Sequence, residues 1–262
     1  MRAWIGTSGW QYADWRAAFY PPTLPQAEWL EHYAGRFRTV ELNNSFYRLP
    51  PRATFERWAR RTPADFVVAV KASRYLSHMK RLRDPVEPVG RLMDGAAGLG
   101  AKLGPVLVQL PASFKVDAAR LAAALDVFPE EVRVAVELRD PSWFREPVRA
   151  VLADRNAALC LADRDEVWVT PRWRTADWGY VRFHAGDGTP RPCYRAATLH
   201  ARMGELAGLW PADELVFVFF NNDPHCCAVR DAVAFARACA EHGVACTRVP
   251  AGDVTPAAAE RT

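Results

Sequence analysis

The stretch RVAVELRD at residues 133–140 places apolar side chains between small or charged ones. Side chains of a β-strand point alternately to its two faces, so the valines and the leucine share one face while Glu137 and Arg139 share the other. A strand that is apolar on one face and charged on the other, within a chain of alternating strands and helices, indicates a barrel strand. The apolar face packs against helices, and the charged face points into the barrel.

Seven further short apolar runs resemble this one, and together the eight runs predict eight parallel strands. The eight are Ala3–Gly6, Thr39–Leu42, Phe66–Val70, Pro105–Leu110, Arg133–Leu138, Ala157–Leu161, Gly179–Phe183 and Leu215–Phe220. Stretches with helical periodicity lie between most of them, namely Gln26–Arg36, Ala53–Arg60, Val86–Leu99, Asp117–Leu125, Glu146–Asp154, Ala196–Leu209 and Ala228–Glu241. The alternation predicts an α/β fold, a single (β/α)8 TIM barrel over residues 1–250.

Two features qualify this assignment. Residues 163–177 show no helical period, so the sixth unit is expected to be a loop excursion. A doubly wound open sheet would use similar strands, but only Gly6-Thr7-Ser8-Gly9 follows the first strand, and this lacks the spacing of a dinucleotide-binding turn. The segment Ala251–Thr262 is expected to be a frayed tail.

Composition excludes several classes of protein. The 262 residues are 50% hydrophobic, 24% charged and 11% aromatic, with a net charge of +4, which excludes a disordered chain, a collagen and a coiled coil. There is no apolar run long enough to span a membrane and no signal peptide, so a cytoplasmic protein without a membrane partner is expected. The six cysteines fit no metal-binding spacing and are expected to be reduced structural thiols.

The same alternation, applied to all the strands, predicts polar side chains in the barrel interior near the C-terminal strand ends. These side chains are Glu41, Asn43, Lys71, Gln109, Glu137, Arg139, Asp163, Arg182, His184 and Asn221. Barrel enzymes place their chemistry at this end, and a barrel without a site would fill these layers with Val, Ile and Leu. Because unpaired buried charges cost several kcal/mol each, the charged members must form a self-satisfied network or meet a ligand.

Motifs at these strand ends resemble those of the YecE-like family, catalogued as a domain of unknown function. The motifs are WIGTSGW at 4–10, VELNNSFY at 40–47, VKASRY at 70–75, GPVLVQLP at 104–111, ELRDPSW at 137–143, YVRFH at 180–184 and FFNND at 219–223. The resemblance covers residues 1 to about 240 and implies a TIM barrel, without implying a reaction. The chain departs from the family after the eighth strand, where PHCCA stands at 224–228.

Basic and aromatic residues near the predicted strand ends favour an anionic partner, either a small phosphorylated molecule or nucleic acid. Arg and Lys match phosphate oxygens, and flat side chains can stack on bases or sugars. The predicted ligand contacts are Arg139, Arg182, Asn43, Gln109, Trp10, Tyr47, Arg74, Trp143, Asn221 and Asp163. The alternative is a solvated basic loop with the aromatic residues in the core.

Acid–base chemistry is assigned to Glu41, Glu137 and His184, with Lys71 as a further catalytic candidate. A lysine between two glutamates is expected to stay charged, which disfavours a Schiff base. The acids and His184 could ligate a divalent metal, but a single histidine among alternating cations argues against one, so no metal and no cofactor is predicted. Two hypotheses remain open, a hydrolase or lyase acting on a phosphorylated, sugar or nucleic-acid substrate and a non-enzymatic anion-binding module. The carboxylates favour the enzyme.

Overall fold

A computed structural model of the chain describes residues 1–252. The predicted tail from residue 253 onward lies outside the described residues. The strands are β1 Arg2–Thr7, β2 Thr39–Leu42, β3 Val67–Lys71, β4 Leu103–Gln109, β5 Val134–Glu137, β6 Ala158–Arg164, β7 Val167–Trp168, β8 Gly179–Phe183, β9 Leu215–Phe220 and β10 Ala245–Cys246. The helices are α1 Trp29–Arg36, α2 Asn44–Tyr47, α3 Arg52–Arg60, α4 Val86–Ala96, α5 Ala118–Leu125, α6 Glu146–Asp154, α7 Ala196–Leu209 and α8 Cys227–Glu241.

The principal strands form one curled parallel sheet in the order β1-β9-β8-β6-β5-β4-β3-β2. Each of these strands lies beside its neighbour in sequence, so the sheet lacks the reversal of order that defines a doubly wound fold. The α/β class and the eight parallel strands are therefore confirmed. Two short strands were not predicted: β10 adds beside β1, and β7 forms an antiparallel hairpin with β6.

The two ends of the sheet approach each other between β1 and β2. Among residues 1–252 their pairing consists of one isolated parallel bridge, Ser8 with Glu41, rather than a continuous ladder. Gly6 permits the approach, because a Cβ at that position would overlap the carbonyl oxygen of Thr39. The sheet is thus curled almost onto itself, and Glu41 lies at the point where its ends meet.

The two faces of the strands differ as the alternation predicts. Val134, Val136 and their counterparts on the other strands belong to the large core between sheet and helices. The concave side holds a separate cluster that includes Leu107, Tyr180 and Phe219. This cluster fills the lower part of the interior, so the polar residues lie above an apolar floor at the C-terminal ends of the strands.

The sixth unit agrees with the sequence prediction. No helix follows β6 within 165–178, and the hairpin with β7 takes its place.

The prediction of reduced thiols is wrong for one pair of cysteines. Cys193, after β8, and Cys227, at the start of α8, form a disulfide with a Cα–Cα distance of 4.7 Å. In residues 1–252 no helix has both the length and the apolar character needed to cross a membrane.

Candidate functional site

Arg182 on β8 is the centre of the polar cluster above the apolar floor. Its side chain is fully buried, and its guanidinium donates to Oε2 of Glu137 at 2.6 Å and to Oε1 of Glu41 at 2.8 Å. A longer contact of 3.4 Å joins it to Oε1 of Gln109. The four side chains come from β8, β5, β2 and β4, so the period-two reading of the strands placed each of them correctly.

Glu41, on β2, accepts hydrogen bonds from Ser8, which follows β1, and from Tyr180 on β8. The Ser8 hydroxyl donates to Oε1 at 2.7 Å, and the Tyr180 hydroxyl donates to Oε2 at 2.6 Å. Together with the Arg182 bond, these contacts satisfy both carboxylate oxygens. Such a fully paired, buried carboxylate is suited to hold Arg182 in place.

Glu137 is ionised and shared among three basic groups. Burial by itself would raise its pKa, but Arg182, His184 and Arg139 hold the pKa of Glu137 well below its usual range. Nε of Arg139 donates to Oε1 at 2.9 Å, and Nε2 of His184 lies 3.3 Å from the same oxygen. Burial lowers the pKa of His184, so the imidazole is neutral near pH 7. Nδ2 of Asn221 lies 3.0 Å from Nδ1; with the amide nitrogen as the donor, the proton of the neutral ring is on Nε2, which makes no hydrogen bond within residues 1–252.

The cations Lys71, Arg74 and Arg139 lie close enough to His78 for all three charges to act on it. Lys71, the last residue of β3, is 8% exposed, and its Nζ lies 4.5 Å from the centre of the Phe46 ring. Within residues 1–252 neither Lys71 nor the exposed Arg74 has an acidic partner. Burial lowers the pKa of His78, and the charges of Lys71, Arg74 and Arg139 lower it further. The three cations therefore act together on one region and make it electropositive.

Asp223, which follows β9, is a site residue that the sequence reading missed. Burial raises its pKa to about 7, which the nearby Tyr12 hydroxyl and the charge of Arg182 only partly offset. Its Oδ1 is buried without a hydrogen-bond partner in the described part of the chain, and so is Oδ1 of Asn43, whose amide nitrogen donates to the Ser8 carbonyl at 3.2 Å. Buried polar atoms are normally paired, so both are candidates for contact with a ligand. Asp223 belongs to the FFNND motif, but strand alternation could not assign its face, because β9 ends at Phe220 and the backbone of Asp223 is helical.

Asp163 does not join this group, and its predicted place in the interior is wrong. On β6 the inward residues are Ala158 and Cys160, which belong to the concave cluster, so Asp163 falls on the helix side. There it accepts hydrogen bonds from Arg202 of α7 at 2.8 Å and from the Tyr194 hydroxyl at 2.9 Å. Its contacts are those of a structural ion pair between sheet and helix.

The predicted aromatic contacts divide between core and surface. Trp10 is buried and packs edge-on against Trp58, and Trp143 is fully buried, with its Nε1 donating to the Phe114 carbonyl at 2.6 Å. Because both rings are buried, neither can stack on a ligand. The prediction failed because the position of an aromatic residue after a strand does not show how deeply its side chain is buried. Tyr47, by contrast, is 82% exposed at the end of α2.

Tyr47 borders a groove of about 300 Å³ that begins beside the Phe46 ring. Arg74, Arg91, Tyr75 and Met79 also line it. A larger cavity of about 500 Å³ lies at the opposite ends of β5 and β6, but there Asp126 and Arg155 pair with each other at 2.7 Å. In residues 1–252 no group of three or more His, Cys, Asp or Glu side chains is placed to hold a metal ion.

The fold and the site define an α/β protein with a curled parallel sheet. Its concave side holds a polar site at the C-terminal strand ends, where a buried arginine lies between two carboxylates. The pattern of the family described as "Protein of unknown function DUF72" matches residues 4–254, and the chain belongs to this family. The resemblance to the YecE-like family is confirmed at this level, because the two descriptions denote the same family.

Individual relatives agree with this membership. The UPF0759 protein YunF of Bacillus subtilis (strain 168) is 30% identical over 152 residues, covering 55% of this chain and 53% of that protein, so the chain spans about half the length of this curated relative. A crystal structure of a DUF72 family protein from Thermotoga maritima MSB8 matches 90% of this chain and 98% of its own with 29% identity and a TM-score of 0.77. A second, from Enterococcus faecalis V583, covers 97% of this chain and 98% of its own with a TM-score of 0.75; at 18% identity it supports the fold alone.

Proposed function

We propose that the protein binds a phosphate-bearing ligand at the C-terminal end of its curled sheet. The observation that carries the proposal is the local imbalance of charge. Two ionised carboxylates, Glu41 and Glu137, face four cationic side chains, namely Arg182, Arg139, Lys71 and Arg74. Asp223, whose pKa is raised to about 7, adds at most one further negative charge, so an excess of one to two positive charges remains. This excess matches a phosphate group, which carries up to two negative charges near neutral pH.

The geometry separates the cations that hold the fold from those that face the ligand. Arg182 is enclosed and binds both carboxylates through its terminal nitrogens, although its Nε has no partner within residues 1–252, whereas the Arg139 side chain is 34% exposed and Arg74 is exposed. A guanidinium can bind phosphate oxygens with two parallel N–H groups, and a partly buried lysine adds a point charge in a region of low dielectric. The phosphate is therefore expected between Arg139 and Arg74, with Lys71 beneath it.

The proposal includes hydrolysis of the bound ester, with Asp223 and His184 as the proton-transfer groups. A pKa of about 7 allows Asp223 to accept or donate a proton near neutral pH, the range in which acid–base catalysis is most efficient. Glu137, which is held ionised by Arg182, orients His184 and does not itself take up the proton. We further propose that residues 1–250 form a closed (β/α)8 barrel, with the Ser8–Glu41 bridge as its seam.

Binding of inorganic phosphate tests the proposal directly. Phosphate that binds the folded state raises Tm with its concentration, which gives a Kd. Arg139→Met should weaken this Kd by at least about ten-fold, because a hydrogen bond to a charged group contributes about 1.5–3 kcal/mol. The matched control is Arg149→Met, on α6, which removes an exposed arginine paired with Glu146. No shift for the wild type, or equal weakening in both variants, would contradict the proposal.

Nucleic acid is a second candidate ligand, favoured by the groove that leads away from Lys71. Exposed Tyr47 and Tyr75 beside Arg74 and Arg91 provide flat surfaces and positive charge in the combination that single strands require. Tyr47→Ala should weaken binding of a labelled single-stranded oligonucleotide by about 5-fold or more, since stacking contributes about 1–3 kcal/mol per base. Val167→Ala, an exposed apolar residue on β7 outside the groove, is the control. Anisotropy that does not depend on salt or on Tyr47 would count against this ligand.

A further inference from the structure

Lys71 differs from the other three lysines of the chain in having no oxygen partner. In residues 1–252 its Nζ makes no hydrogen bond and no ion pair; its contact is with the face of Phe46 at 4.5 Å. The remaining lysines are Lys80, paired with Asp84, Lys102, bound to two carbonyls and the hydroxyl of Thr62, and Lys115, paired with Asp140. A lysine with as little exposure as Lys71 is normally paired, so the absence of an oxygen partner requires an explanation.

The neighbouring carboxylates are not the partner of Lys71, because their hydrogen bonds within residues 1–252 come from other donors. Both oxygens of Glu41 and both oxygens of Glu137 accept hydrogen bonds, with Arg182 bound to each carboxylate. The sequence alone suggested that Lys71 sits between two glutamates and stays charged. In the structure, burial and the charge of Arg182 lower the pKa of Lys71 to about 8, and the two glutamates only partly oppose them, so Lys71 is still mostly charged near pH 7 but a larger fraction of its amine is neutral than in an ordinary lysine.

We infer that Lys71 is a nucleophile that forms an imine with the carbonyl group of an aldehyde or ketone ligand. The unpaired Nζ stands at the end of β3, 4.5 Å from the centre of the Phe46 ring, and in the region where Arg74 and Arg139 would hold an anionic group of the same ligand. The substrate class is therefore a small carbonyl compound that carries a phosphate or carboxylate. An arginine at this position would provide charge but no such chemistry.

The reaction needs no oxidant or reductant. The lone pair of the neutral amine forms a bond to the carbonyl carbon while the carbonyl oxygen takes up a proton, which gives a carbinolamine. The nitrogen gives up one of its two protons in exchange for the proton taken up by the oxygen. Loss of the hydroxyl together with the last N–H proton, as one molecule of water, then forms the C=N bond. Overall, one primary amine and one carbonyl yield one imine and one water.

Reductive trapping tests this inference on the wild-type protein. The protein is incubated at about pH 8 with glyceraldehyde 3-phosphate or with glyceraldehyde and sodium cyanoborohydride, and the modified lysines are identified by peptide mass spectrometry. Lys71 should be labelled about ten-fold or more faster than Lys80, Lys102 and Lys115, because a much larger fraction of its amine is neutral. Labelling of Lys71 at or below the rate of the other lysines would overturn the inference.

The inference rests on the proposed function only for the anionic group of the ligand. Two comparisons distinguish a failure of the inference from a failure of the proposed function. Preferential labelling of Lys71 by both aldehydes at equal rates would support the imine while contradicting the phosphate site. Phosphate binding without preferential labelling of Lys71 would support the phosphate site and contradict the imine. Lys71→Arg should abolish the fast adduct while keeping the charge, and Lys80→Arg should leave it unchanged; loss of the adduct in both would contradict the assignment to Lys71.

Discussion

Replacing Arg182 by methionine removes the central group of the site and leaves Glu41 and Glu137 buried without it. Arg182 makes bonds of 2.6 and 2.8 Å to these two carboxylates. Removing one partner of a buried ion pair costs about 3–5 kcal/mol, because the remaining charge is left uncompensated. We expect R182M to lose an amount in this range from its free energy of unfolding at about pH 7.5, which urea denaturation followed by tryptophan fluorescence measures.

The loss should depend on pH in a defined direction. In the wild type, Arg182 holds the pKa of Glu137 well below its usual range. In R182M burial dominates, so the folded-state pKa rises above the unfolded value of about 4.3, and stability is lost as pH rises through the interval between them. The difference between the proteins should therefore be smaller at about pH 5 than at about pH 7.5. The triple variant R182M/E41Q/E137Q, without buried charges, should recover much of the loss. A loss below about 1 kcal/mol, or one independent of pH, would refute this account of the network.

Three other perturbations have defined outcomes. Asp223→Asn should stabilise the protein by up to about 4 kcal/mol at about pH 8 and by nothing at about pH 4, because the pKa of Asp223 lies at about 7 instead of 3.8 and each unit corresponds to about 1.4 kcal/mol; parallel stability curves for the two proteins would contradict this. Arg202→Met should cost about 3 kcal/mol while the Kd for phosphate stays unchanged, and a weaker Kd would return Asp163 to the ligand site. A reductant should lower the unfolding free energy by about 3–4 kcal/mol, the value for opening a loop of 34 residues; Cys193→Ser, which lacks the Cys227 bond, should not respond to it.

Strand alternation predicted most of the buried network from the sequence. Glu41, Lys71, Glu137 and Arg182 were placed on the concave side because their apolar neighbours require the helix side, and a shift of one residue would bury charge in the core. The same rule, counted from Cys160, would have placed Asp163 on the helix side. That error came from assigning the residue by its position at the strand end rather than by its face.

Other features depend on interactions that a linear pattern does not contain. The pairing of Arg182 with both carboxylates, which leaves Lys71 without a partner, is decided by distances between strands far apart in the chain. Burial of Trp143 is decided by the segment around Phe114 that covers it. The Cys193–Cys227 bond joins a loop and a helix that only the tertiary fold brings together. Alternation determines the face of a side chain, whereas its depth and its partners follow from the assembled structure.

The contacts of Glu41 also bear on the order in which the molecule assembles. Glu41 is separated by 141 residues from Arg182 and by 139 residues from Tyr180. Contacts that close such long segments form late, because the chain entropy lost on closure must be offset by structure already in place. During synthesis Glu41 and Glu137 leave the ribosome before Arg182, and their carboxylates remain hydrated until β8 has been synthesised and pairs with the sheet. The network thus forms only when β8 is present, and the sheet is completed when β9 joins β8 to β1, so a chain interrupted before β8 should have neither.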